Sequence, residues 1–190
     1  MILRVDSGAG ILKIVEAPTR PPNGSILNGG PGGGVGPTES NALPCLIGRS
    51  GAVAAADKRE GDGATPLGRW PLRAVLLRPD RVEVPAGLRL PWRWLRPDDG
   101  WSDDPADPAY NRPVRHPHPF SAERLWRNDG LYDVIIVLGH NDAPPVPGAG
   151  SAIFLHCAEG RPTEGCVAID RAALLSQLPR IGPGDALEIA

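Results

Sequence analysis

A mainly β fold with a few short helices is what the sequence predicts, and three observations predict it. Glycine and proline are abundant, 24 and 23 of 190 residues, which favours short strands joined by turns. The two most apolar runs, DVIIVLG (residues 133–139) and SAIFLHC (residues 151–157), are short and bounded by Gly and Pro, as central strands are. Candidate helices are few and brief. A chain of this length forms one domain over residues 1–190, able to bury about 70% of the surface its unfolded form exposes.

The elements follow in order. Residues 1–6 and 10–16 read as two strands around SGAG. Residues 18–44, rich in Gly, Pro, Ser and Asn, have no periodic apolar face and read as a long loop. Within it GGPGGGVG lacks the Lys-Ser/Thr of a phosphate-binding loop and runs into Pro37 where a helix would have to open. CLIGRS (residues 45–50) reads as a strand, and PLRAVLLRPDRVEVP (residues 71–85) as one or two more. Residues 98–119 are too rich in Pro and Asp for regular structure, with Trp101 and Tyr110 to pin the loop down. Their five aspartates lack the glycine and terminal glutamate spacing of a calcium loop and read as a solvated surface. SAERLWRNDG (residues 121–130) has a capping serine, a helical interior and a terminal glycine, so a short helix is expected. After the two apolar strands, Asp170 caps a helix through Leu178, with Leu174, Leu175 and Leu178 on one face. PGD then turns the chain into a last strand, ALEIA.

Charge and cysteine content exclude several functions. The 20 basic residues nearly balance the 22 acidic ones, without a Lys/Arg run to track a phosphate backbone or an anionic membrane, so no nucleic acid partner is expected. The apolar residues of MILRVDSGAGILKIVEAP are interrupted by Arg4, Asp6 and Lys13, unlike a secretory signal. No later run is long enough for a membrane span. The expected location is therefore the cytoplasm, or the periplasm if the start site is misassigned. Three cysteines, Cys45, Cys157 and Cys166, are an odd number suited to reduced thiols.

One pair of residues carries chemistry. Side chains alternate along a strand, so in AIFLHC Cys157 faces one side with Ile153 and Leu155, and His156 the other with Phe154. The following residues, AEGRPTEG, hold two glycines and a proline, enough to reverse the chain and return Cys166 to the strand end beside His156. Only a thiolate attacks readily, and an imidazole in reach supplies the proton acceptor. Gly165 would admit a substrate carbonyl, and backbone N–H groups at Gly165 and Cys166 could hold an oxyanion. Thr163 orders the loop or supports the histidine. His140, in LGHND, is a rival base at the end of the other strong strand. His116 and His118 face solvent between prolines. Zinc is not expected, because no ligand spacing such as CxxC is present and Cys157 points away from His156. No cofactor is required.

GSAIFLHCAEGRPTEGCVAI resembles the signature of the YkuD-type L,D-transpeptidase family, in which a strand ends in histidine and a following loop presents S/T-x-G-C. Here those are His156 and Thr163-Glu164-Gly165-Cys166. ATPLGRWPL is similar to the T-P-x-G-x-aromatic-P stretch upstream in that family, through Thr65, Pro66, Gly68 and Trp70. The resemblance covers residues 44–190 and implies a β-sandwich or barrel. It implies a cysteine acyl-transferase on peptidoglycan stem peptides: Cys166 attacks the carbonyl of the third, L-centred residue, often that of meso-diaminopimelate, and expels the terminal D-alanine through a thioester. His156 moves the proton.

Departures from the pattern are Glu164 before the glycine, Ala168 where Arg is frequent, and Cys157 after the strand histidine. Arg161, Arg112 or Arg115 could replace the missing arginine, and Arg161, Trp70 and His140 are candidate substrate-binding residues. The favoured expectation is a cytoplasmic L,D-carboxypeptidase acting on tetrapeptides with water as acceptor. Crosslinking by an L,D-transpeptidase, a non-catalytic wall-peptide binding module and a cysteine peptidase of ordinary L-specificity are the alternatives.

Overall fold

Alternating burial builds the first hairpin. In β1 (Ile2–Asp6) Leu3 and Val5 are buried while Arg4 and Asp6 are exposed, and in β2 (Ile11–Val15) Leu12 and Ile14 are buried. The two strands pair antiparallel, from Ile2 opposite Val15 to Asp6 opposite Ile11. The computed structural model describes residues 1–15 and 39–190. The loop expected over residues 18–44 therefore falls largely outside the described residues, and its last part, from residue 39, is strand instead.

That strand is β3 (Glu39–Leu46), followed by β4 (Ala52–Val53), a 3-10 turn at Ala55–Asp57, β5 (Thr65–Pro66) and the long β6 (Gly68–Leu77). Then come β7 (Trp92–Trp94), β8 (Asp99–Ser102), β9 (Pro113–Arg115) and β10 (Ala122–Arg124). The chain ends with β11 (Val134–Leu138), β12 (Phe154–Cys157), β13 (Val167–Ile169), α1 (Arg171–Gln177) and β14 (Ala186–Ile189). The main sheet runs β11-β12-β13-β3-β2-β1-β14-β6, and β6 pairs back to β11, closing a barrel with β7 added outside on β6. Closure leaves those ring strands no free edge.

The fold is the mainly β barrel the sequence predicts. Its interior is one apolar cluster drawn from every ring strand, including Leu3, Ile14, Cys45, Leu77, Ile136, Leu155, Val167 and Leu187. Leu174 and Leu178 of α1 plug it, and Asp170 caps α1 through Ala173 N at 2.9 Å. A second cluster, with Leu76, Ile135, Phe154, Leu125, Tyr132 and Cys166, lies on the outer face of β6, β11 and β12. The three-stranded layer β10-β8-β9 accompanies that face, with Trp101 edge-on to Phe154 at 5.2 Å. Covered on both sides, every residue of β11 is buried.

Two expectations are corrected. Residues 121–130 are not a helix: Ala122–Arg124 pairs antiparallel with β8, and Leu125 is buried in the second cluster. A few favourable residues cannot nucleate a helix against a strand ladder and a burial site already on offer. Residues 98–119, read as irregular, contain β8 and β9, whose ladder the pattern of Asp and Pro obscured.

Candidate active site

Strand register brings the histidine and the cysteine together. β12 and β13 are parallel, with His156 opposite Ala168. Cys166, two residues before Ala168, therefore faces the same side as His156. Both line one cavity of about 560 Å³ against the outer face of the barrel. Cys157 points the other way, into the barrel interior, with its sulfur 3.9 Å from the Val134 carbonyl.

The loop before Cys166 is fastened at named points. Thr163 N donates to Ile47 O at 2.9 Å, and Arg49 N donates to Thr163 O at 2.8 Å. The Thr163 hydroxyl donates to the Cys166 carbonyl at 2.6 Å and accepts from Gly165 N at 3.2 Å. The Thr65 hydroxyl donates to the same carbonyl at 3.3 Å and accepts from Gly48 N at 2.8 Å. The two separated sequence motifs thus meet at the backbone of Cys166. Gly165 holds φ at 138°, and a Cβ there would sit 2.9 Å from the Ala64 carbonyl oxygen. Only glycine fits. Its N–H, expected to serve an oxyanion, is engaged by Thr163 instead.

Burial sets the electrostatics. Cys166 is 8% exposed; its thiol donates to the Ala152 carbonyl at 3.1 Å and receives Phe154 N at 3.4 Å. Burial, reinforced by the Glu123 charge, pushes the thiol up to about 12. His156 is 3% exposed and lowered to about 4 by burial. Its Nδ1 lies 2.9 Å from the Cys157 carbonyl, an acceptor, so Nδ1 carries the proton and Nε2 holds the lone pair. At neutral pH the resting pair is a thiol and a neutral imidazole, with the thiol turned to Ala152 rather than to the ring. Tyr132 stands edge-on to His156, centroids 5.2 Å apart, and its hydroxyl donates to Glu123 Oε1 at 2.5 Å. Burial pushes Glu123 up to about 6.

The other expected residues divide. Arg161 lines the cavity from an exposed position, its Nη2 4.0 Å from Asp129 Oδ2. Arg112 spends its guanidinium on the Asn111 and Asp142 carbonyls, and Arg115 on Asp98; neither lines the cavity. Trp70 and His140 also lie outside its lining. They stack edge-to-face at 4.7 Å, with Trp70 Nε1 donating to Pro66 O and His140 Nε2 3.1 Å from Ala149 O. Their rings pack on each other away from that lining. Sequence reasoning missed Tyr132, Glu123, Glu60, Asp103, Ser151 and Arg127, all of which line the cavity. The one local signal was Tyr132, an aromatic residue immediately ahead of a strong strand. Among the described residues, no three His, Cys, Asp or Glu side chains are grouped to hold a metal ion.

Comparison with known proteins identifies a family. A family model described as YkuD, L,D-transpeptidase catalytic domain, matches residues 35–189. A search of curated proteins returns no match. Among solved structures, Bd1075 of Bdellovibrio bacteriovorus aligns at 16% identity and a TM-score of 0.48, over 100% of this chain and 47% of that one. This chain thus spans about half the length of that solved structure.

Proposed function

The chain belongs to the YkuD family of L,D-transpeptidase catalytic domains, peptidoglycan-acting cysteine enzymes, and from that premise we propose that it is an L,D-carboxypeptidase trimming stem tetrapeptides in the cytoplasm. The observation that carries the reading is a thiol and an imidazole, its Nδ1 anchored on a backbone carbonyl, lining one cavity. Fractionation of cells carrying a C-terminally tagged copy tests the location: periplasmic protein would sink it.

The reaction begins when the thiol leaves the Ala152 carbonyl and its proton passes to His156 Nε2. The sulfur attacks the carbonyl carbon of the third residue, forming the C–S bond of a tetrahedral adduct. Collapse breaks the C–N bond, and Nε2–H protonates the departing amine of D-alanine. Water then attacks the thioester carbonyl, giving its proton to Nε2. The C–S bond breaks, and the sulfur recovers a proton from the imidazolium. An amine in place of water yields the L,D crosslink instead.

A second reading, a wall-peptide binding module without turnover, is favoured by one observation: the buried Cys166 thiol donates to the Ala152 carbonyl at 3.1 Å. Mass spectrometry of a tetrapeptide incubated with the protein and with Cys166→Ala separates the readings. Loss of one D-alanine only with the native thiol is expected; no loss, with or without an amine acceptor, would leave the binding module.

A further inference from the structure

The charges around the cavity are unevenly compensated. Arg127 is held by Asp129 through both carboxylate oxygens, at 2.6 to 3.1 Å, and Arg161 leans on the same aspartate. Glu164 pairs with Arg49 at 2.7 Å. Glu60, Asp103 and Glu123 line the same cavity and have no ion pair among the described residues. Two of them are positioned by neutral donors: Tyr110 Oη to Glu60 Oε2 and Tyr132 Oη to Glu123 Oε1, each at 2.5 Å. A phenol fixes a carboxylate in place but brings no positive charge.

The three carboxylates sense one another. After burial and its bond to Tyr132, the environment of Glu123 includes Arg127, which opposes, and Asp103 and Glu60, which both raise its proton affinity. A second observation points to a missing donor. Ser151 lines the cavity at 7% exposure, and among the described residues its hydroxyl has no hydrogen-bond partner; Asp103 Oδ1 is buried without one as well. Buried polar atoms in folded proteins are ordinarily satisfied. Among the described residues, no three His, Cys, Asp or Glu side chains group closely enough to hold a metal ion. A primary ammonium suits the three carboxylates: three N–H donors around one positive charge, at the end of an alkyl stem.

We propose that Glu60, Asp103 and Glu123 form a subsite for an alkylammonium group carried by the substrate, either on the acyl donor's side chain or on the acceptor. Its place in catalysis rests on the proposed function; its binding does not. Because Glu123 is among the charges that hold the Cys166 thiol protonated, an ammonium docked there offsets that charge and eases thiolate formation.

Calorimetry on the Cys166→Ala protein tests the subsite without turnover. One arm compares tetrapeptides with lysine or norleucine as third residue; the other compares cadaverine with pentan-1-ol. Preference for the ammonium of about tenfold is expected, falling to near parity in Glu60→Gln/Asp103→Asn. Preference in the peptide arm assigns the ammonium to the donor, and preference only in the amine arm assigns it to the acceptor. No preference in either arm, or one that survives the double substitution, overturns the subsite. If the double variant does not fold, ionic strength decides: affinity of the ammonium ligand must weaken with salt, and a flat response sinks the proposal. A protein that binds the ammonium but never releases D-alanine keeps the subsite and loses the carboxypeptidase.

Discussion

His140 and His156 sit at the ends of neighbouring strands, both are buried, and burial lowers both below the ordinary histidine range. They differ in where the ring nitrogens look. His140 directs Nε2 at the Ala149 carbonyl and its face at Trp70, leaving Nδ1 enclosed without a partner. His156 anchors Nδ1 on the carbonyl of Cys157 and lines the cavity that Cys166 shares. A base is made by the outlook of its free nitrogen, and burial or strand position alone does not make one.

The largest expected effect breaks that pair apart. His156→Gln should lower kcat/KM for D-alanine release by about a hundredfold to ten-thousandfold, whereas His140→Gln should cost stability of about 1–3 kcal/mol with little change in turnover. Equal losses of activity would erase the distinction. Steady-state kinetics beside thermal melts read both.

Next comes the resting thiol. Cys166, pushed up to about 12, should alkylate with iodoacetamide about a thousandfold more slowly near neutral pH than a free cysteine, whose thiol titrates near 8.5. Addition of a lysine-bearing peptide should speed the modification if the ammonium subsite acts on the thiol. Fast labelling of the free protein would mean that the sulfur spends its time beside His156, not Ala152. Burial thus opposes the activation that an imidazole in reach would give the thiol.

Glycines provide a smaller contrast. Gly165→Ala meets both a φ of 138° and the Ala64 oxygen at 2.9 Å, while Gly160 has a φ of 71° and open space around it. The first substitution should destabilise by about 1–3 kcal/mol and impair turnover, and the second by about 1 kcal/mol without affecting it. Chemical denaturation measures the difference.

The smallest effect is in pH dependence. Glu123 is raised from 4.5 to about 6 in the folded protein, so its contribution to stability is present below 4.5 and is lost as pH rises through 6. His156 is lowered from 6.5 to about 4, so stability is lost as pH falls through the window between those values. The two oppose each other. Glu123→Gln should therefore lose a few degrees more in Tm than the native protein between about pH 7 and pH 5. An identical loss would show that Glu123 is not held protonated by its surroundings.

Much of the barrel was legible because its strands carry their own signal. The VIIVL and AIFL runs within DVIIVLG and SAIFLHC are apolar throughout, and both are buried on two faces, the reason an unbroken apolar run forms a strand here. The helix expected at residues 121–130 failed because its local preferences were weaker than the pairing of Ala122–Arg124 with β8. His156 and Cys166 were legible for a related reason: period-two alternation separates His156 from Cys157, and a short Gly/Pro loop limits where Cys166 can return. Trp70 looked like part of the site by motif, yet Thr65 is the residue of that stretch that reaches Cys166.

By itself the sequence determined what is local: the alternation along β12, the Asp170 cap, and a Gly/Pro loop short enough to limit where Cys166 can return. Only the tertiary structure decided that Glu60, Asp103, Glu123, Tyr132 and Ser151 share a cavity with His156 and Cys166, because residues so far apart in the chain meet through barrel closure and the layer covering its outer face. It also decided the protonation of the pair, since burial acts through the surroundings a side chain receives from the whole fold, which no neighbouring residue in the sequence specifies.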